Sequence, residues 1–201
     1  MIKYKNLYLI GTSHISRKSI KEVEEVIKKI KPKFVALELD QERFNHLLIK
    51  KEKRTSLKNI RKFGIKIFLL NFFGAWFERK LGKQVGVEPG SEMKKAIEIA
   101  QKTNANICLI DQNIKYTLSK LISRFSKREK LRLVKDLFFG DKEYNFSIKK
   151  LPTQTQIDKI INKLKKNYPS FYLTVIKERN EFMARNLYKL MKTYTKQKIV
   201  G

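Results

Sequence analysis

The sequence predicts an α/β domain: a mainly parallel sheet with flanking helices and a helical insertion or cap. Two observations carry this. Four short apolar runs have the length and composition of buried strands, namely LYLIG (7–11), KFVALELD (33–40), ANICLID (105–111) and QKIVG (197–201), and each of the first three leads through a polar turn into a helical pattern. Strands alternating with helices are the signature of parallel α/β folds. The second is the stretch from about 113 to 195, which has helical periodicity broken by one polar segment, GDKEYNFSIKKLPTQ.

The elements follow in order. After strand one, Ser19 and Glu22 have the spacing of a capping box, and Ile20, Val23, Val26, Ile27 and Ile30 form one apolar stripe. Lys31-Pro32 stops that helix, because proline cannot continue it. After strand two, Asp40 is placed to cap a helix with Phe44, Leu47 and Leu48 on its apolar side, and His46 beside that face is expected in solvent. A third helix runs from Ser91 to about Asn104 and feeds strand three. The helical portion divides into segments near 113–123, 126–139, 155–166 and 169–192. No repeat or linker divides the chain, so 1–201 reads as a single domain.

Composition narrows the function classes. Cys108 is the only cysteine, which excludes a disulfide framework and a cysteine-based zinc site, and its apolar neighbours make it a small core residue. The net charge of +27 predicts non-specific adsorption to polyanions at low salt. The lysines are spread along nearly every helical segment, and no nucleic-acid-binding motif accompanies them, so no specific nucleic-acid partner is expected. The start of the chain has no signal-peptide pattern. Residues 65–77, IKIFLLNFFGAWF, are shorter than the roughly 20 residues a bilayer span requires. They read first as a core helix, with a partner-helix face or a membrane-surface anchor as alternatives; the chain is expected in the cytoplasm, peripheral to the membrane where that anchor is used.

In open parallel sheets, ligands gather beyond the carboxyl ends of the strands. Those ends deliver Gly11 and His14, then Glu38 and Asp40 with Glu42 and Arg43 close behind, then Asp111 and Gln112, and finally Gly201. Glu38 interrupts an apolar strand, where a carboxylate must be paired, bind a metal or sit at a mouth. Gly11 permits a tight turn, and His14 suits metal ligation or proton transfer. In the last helix Arg179 falls on the stripe of Ile176, Met183, Leu187 and Leu190. A guanidinium on a buried stripe needs an acidic partner, and Asp111 or Glu38 is the candidate.

These residues lie within segments that together resemble the TraB/PrgY family: GTSHIS, VALELDQERF, PGSEMKKAIEIA, LIDQNI and ERNEFMARNL, in that order over nearly the whole chain. The family includes proteins of pheromone shutdown and is similar, remotely, to Tiki metalloproteases, erythromycin esterases and ChaN proteins. The resemblance implies a metal-dependent hydrolase, a peptidase of short pheromone-like peptides, or else a non-catalytic peptide- or partner-binding module of the same fold. Gly11 to His14 matches the first GxxH motif of the family, with Ser13 inside it. The resemblance assigns His14, Glu38, Arg43, Glu178 and Arg179 to catalysis, and Gly11, Ser13, Glu92 and Asp111 to orientation of substrate or structure. It also gives His14 and Glu38 to a divalent metal. KIVG resembles the opening of the strand that precedes a second GxxH, so the resemblance implies a domain whose C-terminal part, with any membrane spans, follows Gly201. The full-length relatives are often membrane-anchored.

Overall fold

A computed structural model of the chain describes residues 1–12, 17–48, 90–139 and 154–201. The chain forms two compact units. One is an α/β unit built from Met1–Lys51, Val85–Asn113 and Arg179–Gly201; the other, Glu52–Gln84 with Ile114–Glu178, is helical where described. The helical insertion expected from the sequence is therefore a unit with its own core.

The α/β unit holds strands β1 (Ile2–Tyr4), β2 (Leu7–Leu9), β3 (Phe34–Leu37), β4 (Asn106–Leu109) and β5 (Ile199–Val200) in the order β1-β2-β5-β3-β4. All neighbours are parallel except β1 and β2. Its helices are α1 (Arg17–Ile30), α2 (Gln41–Leu48) and α3 (Ser91–Lys102), and α8 (Glu178–Thr193) begins at its boundary.

Strand alternation decides which face each helix covers. Val35, Leu37 and Val200 point to one face, where they pack with Val23 and Ile27 of α1 and Ala96, Ile97 and Ala100 of α3. Phe34, Ala36, Ile199 and Ile110 point to the other, against Met183, Leu187 and Met191 of α8. The path from β2 through β3 to β4 advances across the sheet, and the return to β5 runs along the opposite face. This keeps parallel crossovers right-handed. The two-residue β5 fills the centre with both residues buried.

The expected elements need adjustment in three places. β1 is an additional strand; its three residues are exposed, so no alternation marks it. It turns into β2 through Lys5 at φ 52°, and the Asn6 amide donates to the carbonyls of Tyr194 and Gln197. Helix α1 starts at Arg17, so Ser19 lies buried inside it and is not its cap. Asp40 does cap α2: its Oδ1 accepts the Arg43 N–H at 2.9 Å. Leu48 is exposed rather than part of the apolar face, while Phe44 and Leu47 pack on the core and His46 lies in solvent as expected. Gly90, at φ 87°, leads into α3 and packs so closely on Leu47 that a Cβ would lie 3.3 Å from its Cδ2. Cys108 is a half-buried core residue, and burial pushes its thiol pKa up.

In the helical unit, α4 (Ile114–Arg124), α5 (Lys127–Phe139) and α6 (Gln154–Asn167) match the first three expected segments closely, while the fourth, expected over 169–192, is divided into the short α7 (Pro169–Phe171), a π-helical turn and α8. Leu121, Phe125, Leu133 and Tyr168 form the core. Ser126 and Glu129 cap α5 reciprocally, Ser126 N–H to Glu129 Oε2 and Glu129 N–H to Ser126 Oγ. Burial opposes ionisation of Glu129, yet the bonds from Ser126 and Ser170 outweigh it and hold the carboxyl below its ordinary range. Between α7 and α8 the helix widens to π geometry over Tyr172–Lys177, around the fully buried Thr174.

Candidate functional site

The carboxyl end of the sheet brings together the residues the alternation pointed to. Past β3 and β4 the backbones stay paired, with Ile110 N–H donating to Leu37 O and Asp111 N–H to Leu39 O. Asp40 and Asp111 are thereby neighbours, both buried, while Glu38 at the strand end is exposed. Leu37 and Leu39 on either side of Glu38 are core residues, as strand geometry requires.

Two guanidiniums meet on one carboxylate. Arg43 Nη2 donates to Asp111 Oδ2 at 2.5 Å and its Nε donates to Asp40 Oδ2 at 2.9 Å. Arg179, from the first turn of α8, donates Nε to the same Asp111 Oδ2 at 2.8 Å, and its Nη2 lies 2.7 Å from that oxygen. The partner demanded by an arginine on a buried stripe is thus Asp111, and a second, longer bond of 3.4 Å runs from Arg179 Nη2 to Glu38 Oε2. Burial works against the charge on Arg43, but the bonds to Asp111 and Asp40 more than offset it and raise its pKa. Asp111 Oδ1 accepts the N–H of Gln112 at 2.8 Å, so both carboxylate oxygens are engaged.

Asn186 is a member of this arrangement that sequence reasoning missed. Its Nδ2 donates to Ile110 O at 2.9 Å, tying α8 to the end of β4 one residue before Asp111. The signal was available: Asn186 lies seven residues after Arg179, two helical turns on, on the same face.

Beside the cluster, between the sheet and the α1/α3 layer, is a cavity of about 50 Å³ whose lining includes Ile10, Thr12, Glu38, Glu92, Met93 and Gly201. Glu92 is buried in the first turn of α3, where the positive end of the helix dipole favours a carboxylate. Gly11 precedes this point, but its φ is not in the left-handed range and a Cβ there would meet nothing within 4 Å. Ser13 and His14 lie outside the described residues, as do residues 65–77. Glu178 is held in the helical unit, where Arg124 Nη1 donates to its Oε1 at 2.7 Å and Lys120 Nζ lies 2.8 Å from its Oε2. Lys120 first, and then Arg124 against a burial penalty, lower its pKa.

The sequence pattern of the TraB/PrgY/gumN family matches residues 3–200. The chain belongs to the TraB/PrgY/gumN family. It is 39% identical, over 197 residues, to an uncharacterized protein of Methanocaldococcus jannaschii, a match covering 93% of this chain and 48% of that protein. TraB domain-containing proteins of Bos taurus and Homo sapiens are each 24% identical over 190 residues, covering 89% of this chain and 50% of theirs. The chain therefore spans about half the length of the curated relatives it matches.

The divalent metal that the TraB resemblance implies has no site among the described residues. No three of their His, Cys, Asp or Glu side chains are placed to hold one ion, and the Asp111 oxygens are spent on guanidiniums and a backbone N–H. Glu38, with one 3.4 Å contact, is the carboxylate of the cluster with most capacity left. Among the same residues no helix is long and apolar enough to cross a membrane.

Proposed function

We propose that the chain carries the hydrolytic site of a TraB-family hydrolase that cleaves short peptides. The observation that supports this is the pair Arg43 and Arg179 anchored on Asp111 beside the exposed Glu38, at the carboxyl end of a parallel sheet. In this reading Glu38 takes a proton from the attacking water, whose oxygen bonds to the scissile carbonyl carbon. The C–N bond breaks as that proton passes to the leaving amine. The guanidiniums of Arg43 and Arg179 stabilise the negative charge on the carbonyl oxygen. Asp111 fixes the two arginines and takes no proton. His14, assigned by resemblance, serves in this reading as base or metal ligand.

The test uses the full-length protein on a library of short peptides, with products read by mass spectrometry, with and without added Mn²⁺ or Zn²⁺. Turnover is expected, Glu38→Gln should lower kcat/KM by about 10²–10⁴-fold, and Arg179→Met by about 10²-fold. Absence of cleavage under every metal condition would sink the proposal. The full engagement of Asp111 favours one second reading, a peptide-binding module in which the arginines serve structure alone. That reading expects peptide binding by the wild type with no turnover, and unchanged binding in Glu38→Gln.

A further inference from the structure

At the opposite, amino-terminal end of the same sheet lies a solvent-open crevice of about 520 Å³. Lys29 and Lys31 from the end of α1, Lys33 just before β3, and Lys196 and Lys198 just before β5 line it. Its remaining described walls come from Ile30, Pro32, Thr103, Asn104 and Gln197, so no carboxylate among the described residues faces it. All five lysines are exposed, and none forms an ion pair with a carboxylate among the described residues. Lys198 Nζ reaches only the Ile30 carbonyl, at 3.5 Å.

Two ordinary explanations account for part of this. A lysine in the last turn of a helix complements the negative end of its dipole, which covers Lys29. A high overall charge scatters lysines over the surface. Neither explains Lys33 and Lys198 at the starts of two hydrogen-bonded parallel strands, nor their convergence with Lys31 in one concavity. Lys31 holds a left-handed backbone, φ 48°, where glycine or asparagine costs less. Elsewhere in the unit lysines find partners, as Lys28 and Lys95 do with Glu24. Five ammonium groups around an open crevice repel one another unless an anion enters. Ammonium groups bind phosphate as point charges, and the Asn104 and Gln197 amides add neutral donors at the rim.

We infer that this crevice is a binding site for a phosphate-dense anion of the pyrophosphate or triphosphate class, carried free or as the headgroup of an anionic phospholipid. It lies at the end of the sheet remote from Glu38 and stands independently of the hydrolase reading.

The test titrates the protein with inorganic tripolyphosphate by calorimetry in about 150 mM salt, where bulk surface attraction is largely screened. One saturable site is expected. Lys31→Gln/Lys33→Gln/Lys198→Gln should weaken it by about tenfold or more, while Lys21→Gln/Lys94→Gln/Lys189→Gln, which removes the same charge from exposed helix positions, should change it by less than about twofold. Circular dichroism checks that both variants keep the fold. Phosphatidylcholine vesicles with and without phosphatidylinositol bisphosphate, a headgroup with several phosphates, then separate the sources. Sedimentation that depends on that lipid and is relieved by tripolyphosphate assigns the site to a lipid headgroup, and no sedimentation assigns it to a free anion. No saturable binding, or equal losses in the two triple variants, would overturn the inference, the latter because bulk charge would then be the cause.

Discussion

The two ends of the sheet handle charge in opposite ways. At the carboxyl end, three carboxylates and two guanidiniums lie together, and every guanidinium is anchored on a carboxylate. At the amino end, five lysines line one crevice that no carboxylate among the described residues faces. Burial explains why the difference is tolerated. The Asp111 side chain is 0% exposed, so it must be matched within the fold, whereas the lysines keep their heads in water and can leave the match to a ligand. The first arrangement stabilises the chain by itself; the second is a surface whose value appears only with a partner.

Breaking the carboxyl end should therefore have the largest effect. Asp111→Ala leaves two partly buried guanidiniums facing each other across an emptied position, and should cost about 3–5 kcal/mol. Urea unfolding checks this, and a loss below about 1 kcal/mol would mean that solvent already screens the pair. Removing one arginine is milder, because the other still holds Asp111. Arg43→Met and Arg179→Met should each cost about 1–2 kcal/mol, since each side chain is about a third exposed. The double variant should cost more than the sum, because only then does the buried carboxylate lose both charged donors, keeping the Gln112 N–H at its Oδ1. Strict additivity would show that the two arginines do not share Asp111.

Glu38 sharpens the contrast within the carboxyl end itself. Its side chain is 46% exposed and makes one 3.4 Å contact, so Glu38→Gln should change stability by less than about 0.5 kcal/mol. If the hydrolase proposal holds, the same substitution removes most of the turnover. Stability loss without loss of turnover would reverse the roles of Glu38 and Asp111.

Much of the carboxyl end was legible because burial leaves a mark on sequence. An arginine on an apolar stripe declares an acidic partner, and a glutamate inside FVALELD declares a strand end; Arg179, Asp111 and Glu38 meet accordingly. The capping role of Asp40 was readable for the same reason. The placement of β5 between β2 and β3 was not, since two apolar residues carry no record of their neighbours. Nor was β1, whose exposed residues lack a period, or the π-helical turn around Thr174, which is set by tertiary packing. Glu178 and Arg179 are adjacent in sequence but point about 100° apart on a helix, which is why one joins Asp111 and the other Lys120 and Arg124. The lysine crevice was hidden by abundance: five of 46 basic residues stand out only once the fold collects them.

The smallest effect belongs to the amino end, and its sign is the informative part. Lys31→Gln/Lys33→Gln/Lys198→Gln removes mutual repulsion and no ion pair, so at low salt and without anion the variant should match or exceed the wild type by at most about 0.5 kcal/mol. Near 1 M salt, where the screening length falls to about 3 Å, the difference should vanish. Tripolyphosphate should then raise the melting temperature of the wild type by mass action and leave the triple variant where it was. Melting curves across salt and anion concentration measure all three. A triple variant that melts lower in every condition would mean the lysines support the fold directly, through contacts such as Lys198 to Ile30, and the two ends of the sheet would no longer differ in kind.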